Sequence, residues 1–222
     1  MAACEICGGT EFDAGPRGRL AATGKPPRCV GCSSLERHRA LRGACLAIPT
    51  AMLGWRRALQ FSPDISLLPE WFGAFELSVY DGENSMDVQD VPRPAGSYDF
   101  VSINHVIEYV PDDRGAFAEL VRIGSECSII QILFSSTLTA PVSAHYDEPQ
   151  TLNRHHNYGQ DLLEWFKVAE YGIHTVAAEI VDSVTEYAQP AHFFCRQRND
   201  AATIATAFRA AGIAVEHITP GT

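Results

Sequence analysis

Apolar residues in this chain gather into strand-sized runs separated by stretches with helical spacing. Arg57-Ala58-Leu59-Gln60-Phe61 is the first run, Glu76 to Tyr80 the second, Tyr98 to Ile103 the third and Ser128 to Phe134 the fourth. Runs of this length bounded by turn signals read as strands. Helical patterns fill the gaps. One spans Leu35 to about Ile48, entered through Ser33-Ser34 as a cap with Glu36 in its first turn, and stopped by Pro49. A short one is expected from Leu67 to Phe72 after the Ser62-Pro63-Asp64 turn, and another from Asp112 to Ile123, with two aspartates at its electropositive start. Gln160 to Tyr171 is amphipathic and predicts a further helix, and Val176 to Val184 and His192 to Gln197 a closing pair of strands. Strands alternating with helices predict an α/β fold with a doubly wound, mostly parallel sheet. Such sheets bind ligands beyond the carboxyl ends of their strands, near the point where strand order reverses. That rule selects Phe61-Ser62-Pro63-Asp64, Asp81 and Ile103-Asn104-His105 before any chemistry is considered.

The N-terminus departs from this pattern. Cys4/Cys7 and Cys29/Cys32 form two Cys-x-x-Cys knuckles, the spacing of a closed four-thiolate zinc site, with two disulfides or four independent thiols as the alternatives. Gly8-Gly9 and Gly31 supply small turn residues beside the cysteines. Residues 1–34 are therefore expected to form a small zinc-binding module and residues 35–222 the main domain. Cys45, Cys127 and Cys195 read as isolated core thiols. No apolar run has transmembrane length and the first residues lack a signal-peptide pattern, so a cytoplasmic protein without membrane partners is expected. The formal charge is −10, and basic residues concentrate in the first sixty positions (Arg17, Arg19, Lys25, Arg28, Arg37, Arg39, Arg42, Arg56, Arg57). This balance argues against nucleic acid as the main partner while leaving a local basic patch. Oligomeric state is not legible.

Tyr98-Asp99-Phe100-Val101-Ser102-Ile103-Asn104-His105-Val106-Ile107-Glu108-Tyr109-Val110-Pro111-Asp112-Asp113, continuing into Ala118-Glu119-Leu120-Val121-Arg122-Ile123, resembles the fourth-strand motif and following helix of class I S-adenosylmethionine-dependent methyltransferases. Cys29-x-x-Cys32-Ser-Ser-Leu-Glu-Arg-His-Arg39 and Asn157-Tyr158-Gly159-Gln160-Asp161 are similar to segments of a subgroup with an N-terminal Cys4 zinc ribbon. The resemblance implies a Rossmann-like methyltransferase fold, S-adenosylmethionine as cofactor and a structural zinc ion. It further implies cofactor contacts from Asp81 to the ribose hydroxyls, from Asp87 with the Val88 backbone to the adenine, and from Asn104 near the methyl group. The first-strand loop departs from the family pattern: Phe61, Ser62 and Pro63 stand where a Gly-x-Gly loop is usual. Arg37 or Arg39 is then expected to hold the cofactor carboxylate.

Methyl transfer is an in-line displacement, so the protein chiefly aligns its reactants and removes a proton where the acceptor carries one. His105 is the expected base and Glu108 its orienting partner or substitute. His155, His156 and Tyr158 are expected to line the acceptor pocket, with His145 and Tyr146 preceding them. The leading expectation is a methyltransferase for a small or medium-sized acceptor. The alternatives are an RNA methyltransferase that uses the zinc ribbon for recognition, or a non-catalytic binding protein with the same fold.

Overall fold

The computed structural model describes residues 2–135, 138–150 and 153–221. Its centre is a seven-stranded sheet built from β3 (Arg57–Phe61), β4 (Ala74–Ser78), β5 (Tyr98–Asn104), β6 (Gly124–Leu133), β9 (His174–Val181), β10 (Ala188–Cys195) and β11 (Ala214–Ile218). Their spatial order is β11-β9-β10-β6-β5-β3-β4. β4, β3, β5 and β6 pair in parallel, and the remaining pairings are antiparallel. The order reverses between β3 and β5, the switch point at which such sheets open a ligand crevice.

Helices cover both faces. α1 (Glu36–Ala47), α2 (Thr50–Leu53) and α5 (Arg198–Ala210) share one apolar core with Ala58, Phe100, Ile129 and Phe193. α3 (Asp113–Ile123) packs on the opposite face against Leu59, Val101, Ile103 and Ile130. Two smaller units complete the chain: a two-stranded pair, β1 (Phe12–Asp13) with β2 (Arg28–Cys29), and a hairpin of β7 (Ala144–Gln150) with β8 (Arg154–Asn157).

Local chemistry explains where the elements differ from the sequence pattern. α1 is not capped by serine: Ser34 Oγ sits 3.3 Å from Cys4 Sγ and 3.2 Å from Cys32 Sγ, so His38 Nδ1 accepts from the Leu35 N–H instead, at 3.1 Å. The helix expected at 67–72 is one tight turn, Pro69–Trp71, because Pro69 has no N–H to give and Arg42 draws off the carbonyls of Ile65 and Ser66. The amphipathic stretch 160–171 is broken as well. A single turn, α4 (Leu162–Trp165), is followed by left-handed Lys167 and a second tight turn over Val168–Tyr171. Trp165 Nε1 donates to Asp113 at 2.7 Å while Phe166 stacks on Phe117, and a straight helix does not leave this reversal of the chain. α3 begins as its sequence suggests, with Asp112 Oδ1 accepting from the Gly115 N–H at 2.8 Å.

Candidate functional site

The chain leaves β3, β4 and β5 through three non-glycine residues in the left-handed region: Ser62 (φ 67°), Asp81 (φ 54°) and His105 (φ 53°). Such angles are uncommon outside glycine and concentrate at functional sites. The turns at Ser62 and His105 are fixed by neighbouring groups. The Ser62 N–H donates to Ser78 O at 2.9 Å, and the His105 N–H to Leu133 O at 2.9 Å. Gln60 Nε2 reaches forward to Ser62 O and Asp64 O, both at 3.0 Å, so a side chain rather than glycine shapes the loop after β3. Between these turns lies a cavity of about 570 Å³, lined by Phe61, Ser62, Asp87, Val88, His105 and Tyr109 among others, within the size range of small-molecule sites.

Several expected site residues do not line this cavity. Asp81 lies three residues beyond the end of β4, because the strand stops at Ser78, whose hydroxyl accepts from the Met86 N–H. Pro63 is exposed. Asn104 points to the opposite sheet face, where its amide donates to Asp64 (3.1 Å) and its oxygen accepts from Gln131 Nε2 (3.0 Å). Glu108 is fully buried, its carboxylate accepting from the Ser135 N–H, and burial raises its pKa. His156 and Tyr158 are turned toward Asp113: His156 Nδ1 is 3.3 Å from Asp113 Oδ2, and the Tyr158 hydroxyl donates to the same oxygen at 3.0 Å. His155 is half-buried beside them. Asn153, which the sequence gave no reason to select, lines the cavity instead.

His105 is the titratable side chain at the centre of the site. Its Nε2 is buried without a partner among the described residues. Burial, helped by the nearby Arg37 and Arg154 cations, pushes its pKa down to about 3. The ring is therefore neutral at pH 7, a hydrogen-bonding group and a poor proton acceptor.

The basic residues of the first sixty positions are largely paired within the chain. Arg19, Lys25, Arg28, Arg39, Arg56 and Arg57 hold Glu36, Glu186, Asp13, Asp182, Asp200 and Asp99 at 2.7–3.0 Å. Arg42 binds backbone carbonyls. Arg39 is thus unavailable to a ligand. Within that set, and among the described residues, Arg17 and Arg37 alone have no hydrogen bond or ion pair. Arg37 does not line the cavity, but its charge disfavours protonation of His105, which does.

Cys4, Cys7, Cys29 and Cys32 bring their four Sγ atoms within 4.8 Å of one another, with 3.7 Å between Cys4 and Cys32 and 3.5 Å between Cys7 and Cys29. Tetrahedral zinc with Zn–S bonds of about 2.3 Å requires sulfur separations of about 3.8 Å, so the donor set fits the ion. A Cβ at Gly9 would lie 3.3 Å from two of the sulfurs, and Gly8 has φ +75°, which accounts for the paired glycines.

Residues 77–127, covering most of the cavity wall, match the family described as a methyltransferase domain. No curated protein matches the sequence. Among solved structures the chain is similar to a SAM-dependent methyltransferase of Thermotoga maritima, a possible histamine N-methyltransferase (12% identity, 72% of this chain and 91% of that one, TM-score 0.46). It is also similar to the Burkholderia thailandensis 1,6-didemethyltoxoflavin-N1-methyltransferase, solved with S-adenosylhomocysteine (10%, 71% and 78%, 0.47), and to the [4+2]-cyclase SpnF (14%, 86% and 77%, 0.47). The sheet order is that of an open α/β fold with a switch point between β3 and β5, and the matched segment is that of a methyltransferase domain. Among the described residues no helix is long and apolar enough to cross a membrane.

Proposed function

We propose that the chain transfers a methyl group from S-adenosylmethionine to a small or medium-sized acceptor in the cytoplasm, and that residues 1–34 form a structural zinc ribbon. The observation that carries this reading is the cavity at the carboxyl ends of β3, β4 and β5, walled by the methyltransferase-like segment. His105 Nε2, buried in the cavity lining and unpartnered among the described residues, supports a polar ligand there. In this reading Asp87 and the Val88 backbone hold the adenine, Phe61 and Ser62 wall the thioether end, Asp81 lies toward the ribose, and Arg37 neutralises the carboxylate. Once bound, S-adenosylmethionine supplies an electrophilic methyl carbon. Neutral His105 orients the acceptor by hydrogen bonding, and buried Glu108 fixes the Ser135 backbone behind it. Acceptors already nucleophilic at neutral pH suit a site whose imidazole is so weakly basic. The internal pairing of the ribbon's basic residues favours a small acceptor over RNA, since phosphate binding needs free cations.

Calorimetric titration with S-adenosylhomocysteine tests the reading. Micromolar or tighter binding is expected, with about tenfold weakening in Asp87→Ala from loss of a charged hydrogen bond. Absence of binding at millimolar ligand would overturn it.

A further inference from the structure

Past β6, the antiparallel strands β9, β10 and β11 carry a second cavity of about 570 Å³, which shares no lining residue with the first. Its size is again that of a small-molecule site. Strand register lays out its floor. His192, Ala177 and Glu216 stand side by side across β10, β9 and β11, and Pro190, Glu179 and Ala214 form the next row on the same face. All six line the cavity. Neighbouring strands lie about 4.8 Å apart, so the backbones of His192 and Glu216 are separated by about 10 Å. Only the Ala177 methyl group rises between them. Alanine and proline thus make an apolar floor with an imidazole at one end and two carboxylates toward the other.

His192 is more than nine-tenths buried, edge-on to Phe134 and stacked beside Phe194, yet its Nδ1 has no partner among the described residues. Buried polar atoms are ordinarily satisfied, so a ring left short of partners beside a cavity points to a polar ligand. Burial holds its pKa down to about 4, so the ring is neutral at pH 7 and does not repel a cation. Glu179 and Glu216 are exposed, and among the described residues neither forms an ion pair or a hydrogen bond. No lysine or arginine lines the cavity. An anionic ligand would find no counter-charge there, whereas a cation meets two carboxylates on a chain of net charge −10. We propose that this cavity is a second ligand site, built for an organic ammonium ion with a small apolar body and a polar group at its far end. Glu179 and Glu216 attract the ammonium, the body lies over Ala177, Ala214 and Pro190, and the His192 imidazole hydrogen-bonds the polar group. The site is separate from the methyltransferase-like cavity and does not depend on what occupies it.

The test uses three probes of one shape: tyramine, which has both ends, 2-phenylethylamine, which lacks the hydroxyl, and 4-(2-hydroxyethyl)phenol, which lacks the cation. Calorimetry or NMR titration on the full zinc-loaded chain should show tyramine binding with a Kd of about 1 mM, as its size allows, and more tightly than either relative. Glu179→Gln and Glu216→Gln should each weaken tyramine about threefold, the range for an exposed charge pair, and leave the uncharged phenol unchanged. His192→Phe should weaken tyramine about fivefold, the range for one hydrogen bond, and leave 2-phenylethylamine unchanged. Asp87→Ala, in the wall of the first cavity, should not affect tyramine; a loss there would move the amine to that cavity and overturn the proposal. The uncharged phenol binding as tightly as tyramine would overturn it, as would tyramine affinity untouched by both glutamine substitutions. Absence of tyramine binding at about 20 mM, well above the expected Kd, would do the same.

Discussion

At the scale of single residues, the site is defined by side chains placed where other residues would fit the backbone more easily. Ser62 has φ 67°, and among the described residues its side chain makes no hydrogen bond that compensates for it. Left-handed backbone costs a non-glycine residue roughly 1–2 kcal/mol, so Ser62→Gly should stabilise the fold by about 1 kcal/mol. Urea unfolding followed by fluorescence would measure this, and a decrease in stability would show that the serine hydroxyl makes a stabilising contact. The sequence exposed this position through the missing glycine. It did not reveal that Gln60 replaces the glycine's function, because a glutamine inside a strand pattern carries no sign of the direction its amide takes. Nor could spacing tell that Glu108, three residues after His105, turns away from the cavity: the intervening tight turn at Ile107–Tyr109 decides it.

At the scale of elements, α1 joins the thiolate cluster to the sheet. Arg39 is fully buried and donates to both carboxylate oxygens of Asp182 at 2.8 Å, while its Nη1 also serves Pro27 O and Ser34 O. Removing one member of a buried pair strands the other charge, at a cost of about 3–5 kcal/mol. Arg39→Ala should lower stability by that amount in urea titration, and a change under about 1 kcal/mol would mean that water replaces the guanidinium. The elements themselves were partly legible. β3 coincides with its apolar run, and β5 and α3 lie within one residue of theirs. α5 carried the signal of Ala201, Ile204, Ala205 and Phe208 at helical spacing, but this helix and β11 fall after the last strand read from the sequence. The β7–β8 hairpin was hidden for a physical reason: β7 is mostly exposed and polar, so no hydrophobic period marks it.

For the whole molecule, buried histidines couple folding to pH. Burial pushes His192 down to about 4 and His105 to about 3, from an ordinary 6.5. Below pH 6.5 the unfolded chain takes up protons that these folded imidazoles refuse, so stability falls as pH drops from 6.5 toward 4. One such histidine contributes up to about 1.4 kcal/mol per pH unit in that window. His192→Phe, which keeps a ring beside Phe134 and Phe194, should therefore flatten the decline between pH 7 and pH 5 by about 1–2 kcal/mol. An unchanged slope in denaturant titrations at the two pH values would show that burial does not lower the affinity of His192 for its proton. The three left-handed turns around the cavity have a consequence on this scale too. Glycines would let the rim sample many shapes and freeze on ligand capture, whereas Ser62, Asp81 and His105 already confine it. Binding here should thus carry a smaller entropic penalty than a glycine rim imposes, and Ser62→Gly, though the more stable protein, should be the one that surrenders more disorder when its ligand arrives.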